Sequence, residues 1–106
     1  MIAAVNGWAM GGGMWYSTAC DITIASDRAV FAQPEVRMVS NTTYLLAALC
    51  GWKVANRHAL AGDHIDAAEA LRIGLVNEVK CRTTSFFRVR AHSARALPWF
   101  RRRPCG

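Results

Sequence analysis

The stretch Ile2-Ala-Ala-Val-Asn-Gly-Trp-Ala-Met-Gly-Gly-Gly-Met-Trp-Tyr-Ser-Thr-Ala-Cys-Asp21 decides the fold. Its first residues, Ile2 to Val5, read as a short buried strand, and Asn6-Gly7 as a turn. Gly11-Gly12-Gly13 follows, and Met14 to Cys20 reads as a short helix of apolar and small residues. A strand, a glycine turn and a helix start leave backbone N–H groups free at the positive end of the helix dipole. Such a nest holds an anion or a developing oxyanion, and glycine lets a ligand come close to the backbone. Taken alone, the same spacing also serves tight packing.

Downstream, Asp21-Ile-Thr-Ile-Ala25 alternates with period two and reads as a second strand. Ser26-Asp27 is a turn, and Ala29 to Ala32 a third short strand that exits through Gln33-Pro34-Glu35. Proline holds Gln33 extended and so sets how Glu35 emerges. Asn41 or Thr42 can cap a helix from Thr43 to Cys50. Gly51 separates it from a helix over Trp52 to Ala61, which Gly62 ends. Asp66 with Glu69 forms a capping-box pattern for a helix from Ala67 to Ile73, with Gly74 just past its end. Leu75 to Val79 is a last short strand. Strands mixed with helices give the α/β class.

The 106 residues allow one domain, and an apolar content of 53% suits a globular chain with a modest core. No apolar run approaches the ~20 residues that span a bilayer. The start lacks a basic leader region and reads as a strand, so a cytoplasmic location is expected. Cys20, Cys50, Cys81 and Cys105 form no closely spaced pair, which argues against zinc and favours reduced thiols over a disulfide. The net charge of +6 divides unevenly. Residues 1–80 hold six basic and seven acidic side chains, whereas residues 81–106 hold seven arginines and no acid. The sequence changes character near Lys80.

Four blocks together resemble the enoyl-CoA hydratase/isomerase, or crotonase, family. They are Ala3-Ala-Val-Asn-Gly-Trp-Ala-Met-Gly-Gly-Gly13, Cys20-Asp-Ile-Thr-Ile-Ala25, Phe31-Ala-Gln-Pro-Glu35, and Leu60-Ala-Gly-Asp-His-Ile-Asp-Ala-Ala-Glu-Ala-Leu-Arg-Ile-Gly-Leu-Val-Asn-Glu-Val79. They stand in the family's order and near its spacing, over about residues 2–79. The resemblance implies an incomplete crotonase-like spiral of ββα units over residues 1–80, followed by a basic tail over 81–106 that is disordered or non-native. It implies an acyl-CoA thioester as substrate, with coenzyme A part of that substrate and no separate cofactor. Homotrimers are the family's common assembly.

The resemblance also implies site residues. Gly12 matches the glycine whose N–H polarises the thioester carbonyl, with Gly11, Gly13 and Trp15 on the substrate side. The family's second oxyanion donor lies upstream of the residues present in this sequence. Hydratases of the family place glutamates around one water. The first position is here Trp15, which cannot carry a proton in this chemistry, and the second is Glu35. A single glutamate fits an isomerase arrangement, and equally a member whose chemistry has changed or been lost. The loop after Glu35, Val36-Arg-Met-Val-Ser-Asn-Thr-Thr43, departs from the family pattern, so acyl chain length does not carry over. Glu35 also reads as a plain solvated residue after a strand.

His58 and His64 read as surface or packing residues, and Trp8 and Trp52 as core or interface. The tail carries Phe86, Phe87, Trp99 and Phe100 among its arginines. Its composition is that of GC-rich DNA read in a shifted frame, which suggests a truncated and frameshifted gene product. Three functions remain open on the sequence: an acyl-CoA isomerase or hydratase fragment, a non-catalytic remnant or interaction module, and a basic-tail nucleic-acid binder. The bland reading of the tail disfavours the last, and nothing indicates a membrane partner.

Overall fold

The computed structural model describes residues 1–34 and 42–81. Ten elements follow in chain order: β1 Ile2–Val5, β2 Trp8–Met10, α1 Gly12–Ala19, β3 Ile22–Ser26 and β4 Val30–Ala32 come first. After them come α2 Thr42–Cys50, α3 Trp52–Ala61, β5 Ile65–Asp66, α4 Ala67–Arg72 and β6 Glu78–Lys80. They form two three-stranded sheets, ordered β1-β3-β6 and β2-β4-β5. The first four strands alternate between the two sheets, so each of the two β-β-helix units, β1-β2-α1 and β3-β4-α2, adds one strand to each. This is the ββα spiral that the resemblance implies.

The first sheet is parallel throughout, with Ile2 opposite Ile22 and Ile24 opposite Glu78. Its central strand β3 buries Thr23, Ile24, Ala25 and Ser26 in succession. The period-two alternation of that stretch therefore does not mark one wet face. A parallel strand covered on both sides buries both sets of side chains. In the second sheet, β2 runs parallel to β4 with Ala9 opposite Phe31, and β5 runs antiparallel to β4. The core holds Phe31, Met14, Leu46 and Ile65, and otherwise many alanines, among them Ala25, Ala55 and Ala70. Small side chains let the sheets and helices pack at short range in a chain too small for a large aromatic core.

Thr23 ties three elements together. Its N–H donates to Asn77 Oδ1 at 2.8 Å, and its carbonyl accepts from Asn77 N–H at 2.8 Å. Its hydroxyl donates to the Ser17 carbonyl on α1 at 2.6 Å. Asn77 thus extends the β3–β6 pairing with a side chain where the strand itself has not yet begun.

Several local expectations are met with small changes. Gly62 and Gly74 take positive φ after α3 and α4, as does Gly51 before α3. Only half of the capping box forms. Asp66 accepts from the Glu69 N–H at 2.7 Å, but the Glu69 carboxylate turns to Arg72, at 2.6 and 2.5 Å. The Arg72 guanidinium holds the Glu69 carboxyl below its usual range. The last strand begins at Glu78 rather than Leu75, because Leu75 and Val76 are drawn into the core. The short strands β2 and β5 were not expected.

Three expectations need correction or fall outside the described residues. Trp8 and Trp52 are 68% and 67% exposed, so neither belongs to the core. Cys81 is disulfide-bonded, against the expectation of reduced thiols, while Cys20 and Cys50 are free. Burial pushes the Cys50 thiol up to about 11. Residues 82–106, with the tail's aromatic side chains, lie outside the described residues. His58 is buried on α3, and His64 meets the Trp8 ring edge-on at 5.4 Å, so both sit in packing roles.

Replacing Asn77 with Ala removes the acceptor for the part-buried Thr23 N–H. An orphaned donor of this kind costs about 1–3 kcal/mol. Urea denaturation should show a loss in that range for Asn77→Ala and a smaller one for Asn77→Asp, which keeps an acceptor. Equal losses would mean that the side-chain bond contributes nothing.

Candidate active site

The glycine run does not all lie in the turn. Gly11 makes the turn, with φ 52 and ψ −116, while Gly12 and Gly13 already belong to α1. Gly11 donates to the Ala32 carbonyl at 3.1 Å, continuing the β2–β4 ladder past Met10 and Ala32. At the other end of the same ladder, Val30 N–H donates to the Gly7 carbonyl at 3.1 Å. The end of β4 and the start of α1 are therefore joined at the backbone. Gln33-Pro34 follows directly, with Gln33 buried. Glu35 and the loop after it lie outside the described residues.

The first helical bond of α1 runs from Trp15 N–H to the Gly11 carbonyl at 2.9 Å. The N–H groups of Gly12, Gly13 and Met14 precede it, and among the described residues no side chain caps them. The first turn carries no acidic residue. A first turn with no acid of its own leaves the partial positive charge of the helix start, roughly half a unit, unneutralised by the helix itself.

The two helical glycines have no visible need to be glycine within the chain. Neither has a positive φ. A Cβ at Gly12 or Gly13 would meet nothing within 4 Å. Glycine in a helix costs up to about 1 kcal/mol relative to alanine. Among the described residues, nothing fills the space a side chain would take at these two positions, which leaves the first turn accessible from that side.

The remainder of α1 is divided sharply. Met14, Ser17 and Thr18 are buried. Both hydroxyls are satisfied locally, Ser17 Oγ by the Met14 carbonyl at 2.8 Å, and Thr18 Oγ1 by the Met14 and Trp15 carbonyls, both at 3.0 Å. Gly12, Gly13, Trp15, Tyr16 and Ala19 are exposed. At roughly 100° per residue, Gly12, Trp15, Tyr16 and Ala19 fall within one arc of the helix. Trp15 and Tyr16 meet edge to face, with ring centroids 5.2 Å apart and planes at 77°. Starting α1 at Gly12 rather than Met14 reveals this grouping. The signal was in the sequence, at spacings of three and four from Gly12, but glycine's low helix propensity hid it.

A search of family models matches residues 1–97 to the family described as enoyl-CoA hydratase/isomerase. The chain belongs to this family. The match runs past residue 79, where the four recognisable blocks end, and into the basic segment. Among curated relatives, the short-chain-enoyl-CoA hydratase of Clostridium acetobutylicum is 47% identical over 83 residues, covering 74% of this chain and 32% of that protein. The (E)-benzylidenesuccinyl-CoA hydratase of Thauera aromatica is 45% identical over 83 residues, with the same two coverages of 74% and 32%. The chain thus spans about a third of the length of these relatives.

Solved structures of the family superpose well. An enoyl-CoA hydratase from Mycobacterium avium gives a TM-score of 0.80 at 38% identity, covering 88% of this chain and 43% of that one. A monofunctional enoyl-CoA isomerase from M. smegmatis gives 0.68 at 41% identity, covering 74% and 38%. The fold is therefore part of a crotonase fold. Hydratases and an isomerase both lie among the family members it matches.

Gly12→Ala and Gly13→Ala should fold at least as well as the parent, gaining up to about 1 kcal/mol, since the methyl enters open space at an ordinary helical φ. Thermal denaturation checks this. A clear loss of stability would show that these glycines serve packing instead.

Proposed function

We propose that this chain carries the central part of an acyl-CoA-acting site, with Gly12 N–H as an oxyanion donor and Glu35 as a single proton carrier. The observation that supports it most is the pair of helical glycines at the start of α1, whose side-chain positions meet none of the described residues, in a chain that belongs to the enoyl-CoA hydratase/isomerase family. The thioester carbonyl oxygen would accept from Gly12 N–H, where the helix dipole favours the negative charge that develops as an enolate forms.

Trp15 supports isomerisation over hydration. It stands three residues after Gly12 on the same helix face and offers no carboxylate to activate water. With Glu35 alone, the carboxylate takes a proton from C2 of a 3-enoyl thioester. The C2 electrons pass into the carbonyl, giving a dienolate held at Gly12. The same glutamic acid then returns the proton to C4, and the double bond ends between C2 and C3, in conjugation. No water is consumed, and the carboxylate is regenerated.

A variant isolates the donor. Proline at the first helical position has the φ that a helix start requires but no N–H. Gly12→Pro should therefore keep α1 and weaken crotonyl-CoA binding by about tenfold, the usual worth of one hydrogen bond. Calorimetric titration of the purified 106-residue chain measures it. A parent chain that binds no thioester, or a Gly12→Pro chain that binds as tightly as the parent, overturns the assignment.

Activity gives a second test. The chain should hydrate crotonyl-CoA more slowly than about one turnover per second, near the low end for ordinary enzymes, because no acid stands at Trp15. Any isomerisation of hex-3-enoyl-CoA should fall about 10²–10⁴-fold in Glu35→Gln, the usual worth of a positioned acid–base group. Isomerisation that survives Glu35→Gln would remove Glu35 from the chemistry.

A further inference from the structure

We propose that Thr23 is a positioning residue for this site: its buried hydroxyl, by holding the Ser17 carbonyl, sets the angle of α1 on β3 and with it the aim of the Gly12 N–H. The inference rests on the thioester reading of Gly12 and adds what holds that donor in place.

The bond caps the far end of the helix. An α-helix leaves its last carbonyls without intrahelical partners. A further helical turn would send the Asp21 N–H to the Ser17 carbonyl, but that N–H donates to the Met1 carbonyl at 3.0 Å instead. The Thr23 hydroxyl takes the place, donating to the Ser17 carbonyl at 2.6 Å. Ser17 and Thr23 are each 4% exposed, so solvent has little access as an alternative partner. Cys20 and Asp21 link α1 to β3, and the Thr23 bond closes that link into a fixed corner.

α1 is thus tied at both ends, and to different sheets. At its start, Gly11 N–H donates to the carbonyl of Ala32, the last residue of β4 in the second sheet, at 3.1 Å. Near its end, Thr23 holds it to the central strand of the first sheet. Asn77 grips Thr23 in turn through both of its backbone groups, so the anchor is itself fixed. Two tethers define an axis where one leaves a pivot. Buried Met14 also seats α1, but apolar burial has no preferred direction.

Direction is what a bound carbonyl feels. The free N–H groups of a first turn lie nearly along the helix axis. A tilt of α1 about Gly11 therefore turns the Gly12 N–H with it. Hydrogen bonds weaken as donor and acceptor fall out of line, and a developing oxyanion gains most from a donor that is already aimed.

The test uses the full chain and butyryl-CoA, a saturated thioester that can be neither hydrated nor isomerised. A donor aimed at its carbonyl oxygen lowers the carbonyl stretching frequency, which isotope-edited infrared spectroscopy reads in the bound state. The parent should show that lowering, and Gly12→Pro should lose it. In Thr23→Val, equal in shape but without the hydroxyl, the lowering should shrink to less than about half and the dissociation constant should rise about two- to tenfold, the range of one hydrogen bond. Thr23→Ser keeps the hydroxyl and should restore both. Asn77→Ala costs stability but keeps the hydroxyl, and should leave the stretch as in the parent. Sucrose in every sample favours the folded state, and circular dichroism confirms it. If Thr23→Val still does not fold, Thr23→Cys replaces it, its weaker thiol donor giving an intermediate lowering. A parental stretch in Thr23→Val or Thr23→Cys, or a loss of the lowering in Thr23→Ser or Asn77→Ala, overturns the role of Thr23 while leaving Gly12 in place. A parent that shows no lowering, or a lowering that survives Gly12→Pro, overturns both.

Discussion

The backbone bond from Gly11 N–H to the Ala32 carbonyl, at 3.1 Å, is the constraint on which the site depends. It needs Gly11 at φ 52, a conformation that residues with a Cβ rarely adopt. With Gly11 turned that way, the β2–β4 ladder gains one further rung and the chain enters α1 immediately. The same rung fixes the end of β4, and so the point where Gln33-Pro34 leaves the sheet. The glycine run and the strand end that leads into Gln33-Pro34 thus spring from adjacent positions of one ladder. No side chain is needed to bring them together.

Thr23 holds the layer behind. Through its amide, carbonyl and hydroxyl it binds Asn77 twice and Ser17 once, so α1 cannot slide along β3 without breaking the connection to β6. The buried side of α1 is therefore set by polar contacts and by Met14, and its exposed side keeps Gly12, Trp15 and Tyr16 together. Helix position and site composition follow from one packing choice.

The sequence told most where a single residue type has a single conformational use. Gly51, Gly62 and Gly74 marked the helix boundaries, and each takes a positive φ. Asp66 capped α4 as its spacing indicated. The parts that were hard to see were short or depended on distant partners. β2 and β5 have three and two residues, too few for any period to show, and they exist because β4 lies between them. The β3 alternation marked a strand but not its burial on both sides, because alternation cannot report that a second layer covers the other face. Trp8 and Trp52 read as core or interface residues, and their exposure excludes the core, which is filled mainly with alanine. At the site, the glycine run was legible and the aromatic arc beside it was not, because the arc appears only once the helix is known to begin at Gly12.

The pairing of Thr23 with Asn77 spans 54 residues of chain. Contacts of such long range form late, after the entropy of closing the loop has been met. A growing chain on the ribosome can pair β1 with β3 and β2 with β4 early, since those strands are near neighbours in sequence. The central strand of the first sheet nonetheless keeps one edge open until Asn77 and β6 have been synthesised and released from the exit tunnel. During that interval β3 presents bare backbone groups and a run of small and apolar residues to other unfinished chains. That is the period in which β3 is most exposed to mispairing, and the arrival of β6 is what ends it.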